Sequence, residues 1–265
     1  MGIVKDFASM GAKVRVSKRQ PQKWARNDPA VTIDILTEKG QEIFDIRKTE
    51  GMGAEITVVD RKPKDRHLLL MVKTEERPGV PTKTKYLCGH DEFHWFVATA
   101  SPTAADVGRA KESLKPMEVR AVQTQGKKRK KAPKGGVKRQ GEWFFIPKKK
   151  MKVAHNQILK NEPIQRGRGK PHTVEEVWRT GGRDVYVHRS NPEMPPLSSA
   201  DFDSRVKKGR INANSYRLGR ADAKVFGRGK VTHLDHSTLK LDFWHQILPN
   251  TESRFNVTGQ LQFID

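Results

Sequence analysis

The 265-residue sequence predicts an α+β fold dominated by β structure. Antiparallel hairpins form a small sheet or barrel in the N-terminal half, and a second small β-rich region with one or two short helices follows a basic linker. Three observations predict this. Between residues 31 and 100, short runs of β-branched and aromatic residues alternate with turn signals, which is how antiparallel hairpins read. Within the runs apolar residues recur at period two, the spacing that places them on one face of a strand. After Gly126 a Lys-rich stretch loses apolar periodicity, and further strand-like runs come after it.

Taken in order, residues 31–36 and 42–47 flank Glu38-Lys39-Gly40-Gln41, with Ile33, Ile35 and Ile43 among the alternating apolar positions; this is the first hairpin. Residues 55–59 and 67–72 flank Arg61-Lys62-Pro63-Lys64-Asp65 as the second, and residues 85–88 and 94–98 flank Gly89-His90-Asp91-Glu92 as the third. Residues 104–114 read as a short helix and 117–122 as a closing strand. In the second half Trp143-Phe144-Phe145-Ile146 is a buried-strand signal. Residues 173–179 and 184–189 read as a hairpin around Gly181-Gly182, and a Pro-rich stretch at 191–196 then breaks the chain. Ser198 or Ser199 is placed to cap a helix beginning near Ala200, and residues 231–233 with 238–244 make a last hairpin. The expected organisation is a basic N-terminal arm (1–30), a β-hairpin domain (31–125), a flexible basic linker (126–141) and a basic β-rich α+β domain (142–265).

Apolar residues are 35% and charged residues 31% of the chain, enough of the former to build cores and to exclude wholesale disorder. Lys and Arg number 52 against 30 Asp and Glu, a net charge of +22. Such a surface repels itself and attracts polyanions. The first residues lack the apolar core of a signal peptide, and no window approaches the ~20 apolar residues of a membrane span. With neither a lipid anchor nor a basic amphipathic helix in the sequence, nucleic acid is the expected partner and membrane is not. A lone cysteine, Cys88, excludes an intramolecular disulfide and any zinc site built on paired cysteines.

The charge is segregated. Residues 126–152 hold twelve Lys or Arg against Glu142 alone, residues 205–230 nine against Asp222 alone, and residues 1–30 seven against two. Clustering matters because counterion release scales with the phosphates neutralised together, whereas dispersed lysine mainly confers solubility. Candidate phosphate contacts in the first run are Lys127, Lys128, Arg129, Lys130, Lys131, Lys138, Arg139, Lys148, Lys149, Lys150 and Lys152. Arg166, Arg168, Lys170, Arg217, Arg220, Arg228 and Lys230 add to them. The string Gly-Arg-Gly-Lys occurs twice, at 167–170 and 227–230, where glycines would let backbone N–H groups approach phosphate. Trp24, Trp143 and Phe144 lie among these cations and are candidates to stack on unpaired bases. Lys127-Lys128-Arg129-Lys130-Lys131 and Pro147-Lys148-Lys149-Lys150-Met151-Lys152-Val153 resemble monopartite nuclear-localisation signals. The expected compartment is the nucleus for a eukaryotic or viral source and the cytoplasm for a prokaryotic one.

Two histidine groupings raise metal chemistry. Cys88, His90 and His94, with Asp91 and Glu92, crowd one predicted hairpin tip. His233, Asp235, His236 and His245 form a second grouping that would serve as the catalytic residues of a metal-dependent nuclease holding a divalent ion. Asp235-His236 with Asn250 resembles the Asp-His…Asn of ββα-metal nucleases, but the downstream His and connecting helix of that pattern do not follow. No nucleophile elbow, phosphate loop or dinucleotide fingerprint is present. The leading expectation is a binding protein without a cofactor, acting on RNA or single-stranded DNA through clustered Lys and Arg. A metal-dependent nuclease is the alternative, and a structural component of a nucleoprotein assembly with other proteins is the third.

Overall fold

The computed structural model describes residues 2–21, 28–77, 80–91, 94–128, 136–165, 170–191 and 194–251. The structure is β-dominated α+β, with several small antiparallel sheets and four short helices among the described residues. Two compact units divide between Pro116 and Met117, with Thr251 returning to the first.

The first unit contains α1 (Ile3–Ser9), β1 (Lys13–Arg19), β2 (Val31–Glu38), β3 (Gln41–Thr49), β4 (Ala54–Lys62), β5 (His67–Arg77), β6 (Val80–His90), β7 (Trp95–Ala100) and α2 (Val107–Ser113). Its sheets run in the order β1-β3-β2 and β4-β5-β6-β7. The three hairpins read from the sequence are the antiparallel pairs β2/β3, β4/β5 and β6/β7. The first closes on Lys39 and Gly40, both at positive φ (51° and 76°), the backbone that a two-residue hairpin turn requires. Strand β5 feeds two cores: Leu68, Leu70 and Val72 pack with Phe7, Phe44 and Ile46, while Leu69 packs with Leu87, Ala98 and the α2 residues Val107 and Ala110.

Residues 3–19, within the segment read as an arm, are a helix and a strand. Phe7 and Met10 are buried in the core, and β1 pairs in parallel with β3. Charge masked this strand in the sequence, because its apolar positions are only Val14 and Val16. Its cations meet acids: Arg15 lies 2.8 Å from Asp45 and 2.7 Å from Glu38.

The second unit contains α3 (Met117–Lys128), β8 (Lys138–Gln140), β9 (Trp143–Pro147), β10 (Leu159–Ile164), β11 (His172–Thr180), β12 (Arg183–His188), β13 (Leu197–Ser198), α4 (Ser199–Lys207), β14 (Tyr216–Ala221), β15 (Lys224–His233) and β16 (His236–Pro249). The expected closing strand at 117–122 is instead the start of α3. Val119 and Val122, three apart, lie on one helical face against Phe144, Ile146 and Leu248, and a short β-branched run carries no periodicity that separates the two outcomes. The stretch read as a linker contributes Lys127 and Lys128 to the end of α3 and Lys138–Gln140 to β8; residues 129–135 lie outside the described residues. As expected, the Ser198 side chain caps α4, accepting from the Asp201 amide at 3.1 Å.

The expected hairpin at Gly181-Gly182 is also corrected. β11 pairs with β15 and β12 with β14, in different sheets, yet Thr180↔Lys224 and Arg183↔Ala221 preserve one register. The segments are therefore successive lengths of one bent antiparallel ribbon, and the glycines make the bend. Both have positive φ, and a Cβ on Gly182 would lie 2.6 Å from the Ala221 carbonyl oxygen.

The six-stranded sheet has the order β10-β11-β15-β16-β9-β8, and it curls. The long β16 pairs with β15 from His236 to Ile247 and, on its other edge, with β9 from His245 to Pro249. Two side chains of β8 then reach back to the first half of β16, Gln140 Nε2 donating to the Ser237 carbonyl and Lys138 Nζ to the Lys240 carbonyl. Trp143, Phe145, Val174, Val177, Val225, Val231, Leu241 and Ile247 fill the interior. Among the described residues no helix is long and apolar enough to cross a membrane.

Candidate functional site

Between Met117 and Asn250 there are thirty Lys and Arg against twelve Asp and Glu, so most of the chain's positive charge belongs to the second unit. Ion pairs divide the predicted phosphate contacts into two classes. Arg220 is paired with Asp184 at 3.3 Å, Lys170 with Asp235 at 2.7 Å, and Arg228 with Glu176. Arg228 also lies over the Trp244 ring, 5.0 Å from its centroid. Arg228 and then Lys160, hydrogen-bonded to the Glu176 carboxylate, hold it below the usual carboxylate range. Within the 205–230 run, Arg205 and Lys207 occupy the last turn of α4, where cations complement the helix C-terminus.

The second class has no carboxylate within ion-pair distance among the described residues. Lys230 is exposed and stands directly opposite Lys240, an exposed lysine of β16 that the sequence reading did not single out, and Lys138 reaches the Lys240 carbonyl. Like charges in this position destabilise a sheet. Glu175 lies near, but its carboxylate accepts the backbone N–H of Lys230 at 2.7 Å and not the ammonium. The other group is Lys148, Lys149, Lys150 and Lys152 in the turn after β9, where Lys148 to Met151 line a groove with Val122 and Pro147. Lys149 Nζ lies 5.4 Å from the centroid of Phe243, a partly exposed ring that the sequence reading did not single out.

Several expectations change. Trp143 is 0% and Phe144 5% exposed, so neither offers a ring face to a base; both are core. Arg139 lies over Phe144 and donates to the Gly141 carbonyl at 2.8 Å. The second Gly-Arg-Gly-Lys string already holds an anion of the chain's own, the Glu175 carboxylate. A Cβ on Gly229 would meet the Glu175 carboxylate at 2.5 Å, and that carboxylate occupies the Lys230 amide, so the glycines serve a bulge in β15. Arg217 is exposed on β14. Trp24, Arg129, Lys130, Lys131, Arg166 and Arg168 lie outside the described residues, as does Glu92 of the first histidine grouping. That grouping does not converge: Cys88 is buried in a core, where burial pushes its thiol up, and His94 bonds Glu42 at 2.6 Å.

The second grouping is rearranged. His233 and His236 are register partners across the β15/β16 turn, but His245 pairs with Gly227 and Pro147 nine residues further along β16, its Nδ1 2.6 Å from the Phe243 carbonyl. It belongs to no common site with them. Their third partner is His172, at the start of β11, and the ligand nitrogens of the three lie within 4.8 Å of one another. The rings stack, with centroids 4.1 Å apart for His172 and His233 and 4.7 Å for His233 and His236. This layer ends the interior of the curled sheet, beside Val174, Val231 and the Trp143 ring, 6.4 Å from His172. Burial first, then the nearby His233 and His236, push His172 down to about 3, so it is neutral at physiological pH. Lys170 pairs with both carboxylate oxygens of Asp235, at 2.9 and 2.7 Å.

Neither protein-family profiles, nor curated proteins, nor solved structures show a significant match to the chain.

Proposed function

We propose that this chain binds nucleic acid through phosphate contacts of its second unit, with RNA or single-stranded DNA preferred to duplex. The observation that carries the proposal is the opposed pair Lys230/Lys240 with Lys138 beside it. Two lysines stand opposed on the sheet and a third donates to the backbone carbonyl of one of them, none has a carboxylate within ion-pair distance among the described residues, and a polyanion supplies the missing counter-charge. The lysines of the turn after β9 extend the same chemistry, and Phe243, half-buried with its ring stacked on His245 and Lys149 over it, adds an aromatic edge of the kind found beside unpaired bases. Lysine supplies a point charge and not a planar fork, so the binding is to backbone and is blind to sequence.

Fluorescence anisotropy with labelled single-stranded and duplex oligonucleotides tests this against a Lys138→Gln/Lys230→Gln/Lys240→Gln variant. The variant weakens binding to every sequence alike, and its log–log salt slope flattens by up to about 0.7 per contact on single strands. Parental affinity in the variant at every salt concentration refutes the proposal.

A further inference from the structure

We propose that His172, His233 and His236 together bind one divalent transition-metal ion, zinc foremost, at the end of the curled six-stranded sheet. The site is independent of the nucleic-acid reading.

Four features of the layer support it. The three imidazoles come from three adjacent strands, β11, β15 and β16, so the sheet's hydrogen bonds fix their positions and their nitrogens already lie within 4.8 Å. His172 is 1% exposed, and neither ring nitrogen has a hydrogen-bond partner among the described residues. A neutral imidazole presents one donor and one acceptor, and leaving either unmade in the interior costs about 1–3 kcal/mol, so an ion on one nitrogen removes part of a standing deficit. Gly141, at φ +55°, passes over the layer without a side chain: a Cβ there would lie 2.9 Å from His236 Nε2 and 3.4 Å from His172 Nε2. The backbone thus leaves room against the two nitrogens that a ligand set would use. Finally, the donor set is three imidazoles without a carboxylate, which suits zinc, nickel, copper or cobalt and not magnesium or calcium.

Zinc lies about 2.0–2.1 Å from each nitrogen and in the plane of each ring, with tetrahedral ligands roughly 3.4 Å apart, so the rings, stacked at 23–30° to one another, turn out of the stack as well as close up on binding. His233, whose Nδ1 accepts the Asp235 amide at 3.0 Å and whose ring also hydrogen-bonds the Lys170 backbone, is the ring that adjusts, exchanging the Lys170 bond for the ion, because it sits at the turn and is only half-buried. Three protein nitrogens leave one tetrahedral position open, as in zinc sites that carry a solvent molecule.

The test uses the full-length chain without an affinity tag, stripped with a chelator and titrated with Zn²⁺ against a chromophoric competitor. One ion per chain is expected, and Co²⁺ in its place should give the visible absorption of a four-coordinate centre. His233→Ala and His236→Ala lie at the half-buried side of the layer and avoid opening the core at His172. Each should lower zinc affinity more than about 100-fold, since losing even a residue behind a ligand costs 10- to 100-fold. Circular dichroism checks that the stripped variants keep the parental fold, and His90→Ala should bind as the parent does. Failure of the stripped, folded chain to take up one equivalent of Zn²⁺ overturns the proposal. So does parental affinity in both His233→Ala and His236→Ala.

Discussion

Replacing Trp143 by alanine separates a core residue from a base-stacking one. The ring is 0% exposed and packs with Phe145, Val174, Val177 and Ile247 inside the curled sheet. A buried Trp removes about 200 Å² from water, which at roughly 25 cal/mol per Å² amounts to about 5 kcal/mol. Truncations of this type cost about 3–5 kcal/mol once partial relaxation around the cavity is included. For a unit of this size that is a fall of about 10–20 °C in Tm. Thermal unfolding by circular dichroism measures it, alongside anisotropy with a single-stranded oligonucleotide at 25 °C. Phe243→Ala is the matched control. Its ring is half-buried, stacked on His245 and beside Lys149, so truncation should cost less stability than at Trp143 and weaken binding by about 1–3 kcal/mol. If Trp143→Ala keeps the parental Tm and loses binding, the placement of Trp143 in the core is refuted.

Three further outcomes follow from the same geometry. Lys230→Gln relieves a like-charge pair, so at low salt it should raise stability by a few tenths of a kcal/mol while lowering nucleic-acid affinity; a loss of stability in urea unfolding would contradict the opposed-lysine account. Glu176, held below its ordinary range by Arg228 and Lys160, contributes stability that is present above its unfolded pKa and lost as pH falls through the lower folded value. Because both cations are substantially exposed the effect stays near or below about 1 kcal/mol, and Arg228→Met should flatten the acid limb of a stability-versus-pH curve. Cys88 is fully enclosed with its thiol pushed up, so a thiol reagent at pH 8 should label it only at the rate of unfolding, and rapid labelling of the native chain would place it elsewhere.

The hairpins of the first unit were legible because Ile33, Ile35 and Ile43 keep period two and Lys39-Gly40 gives a recognisable turn. The strand Lys13–Arg19 was hidden because most of its residues are cations and only two are apolar. Gly181-Gly182 has the composition of a hairpin turn, yet the same two positive φ angles bend a continuous ribbon, and only the pairing partners distinguish the outcomes. Among the candidate site residues, net charge per segment found the lysines but did not reveal which had acids across the sheet: Glu176 for Arg228, Asp235 for Lys170. His172 was missed because it stands some sixty residues before His233 in the sequence; the register Thr173↔Thr232 brings them together. His245 was included on proximity along the chain, which an extended strand turns into separation.

The most direct test of nucleic-acid binding is the affinity of the intact chain for one single-stranded oligonucleotide, measured from about 50 to 200 mM salt. If Lys138, Lys230, Lys240 and the lysines of the turn after β9 engage phosphates, the logarithm of the affinity falls linearly with the logarithm of salt concentration. Its slope is about −0.7 per phosphate contacted, and hence steeper than about −2 for the three-lysine patch alone. A slope near zero, or no binding at the lowest salt, would contradict the account and leave the charge of the second unit to another partner.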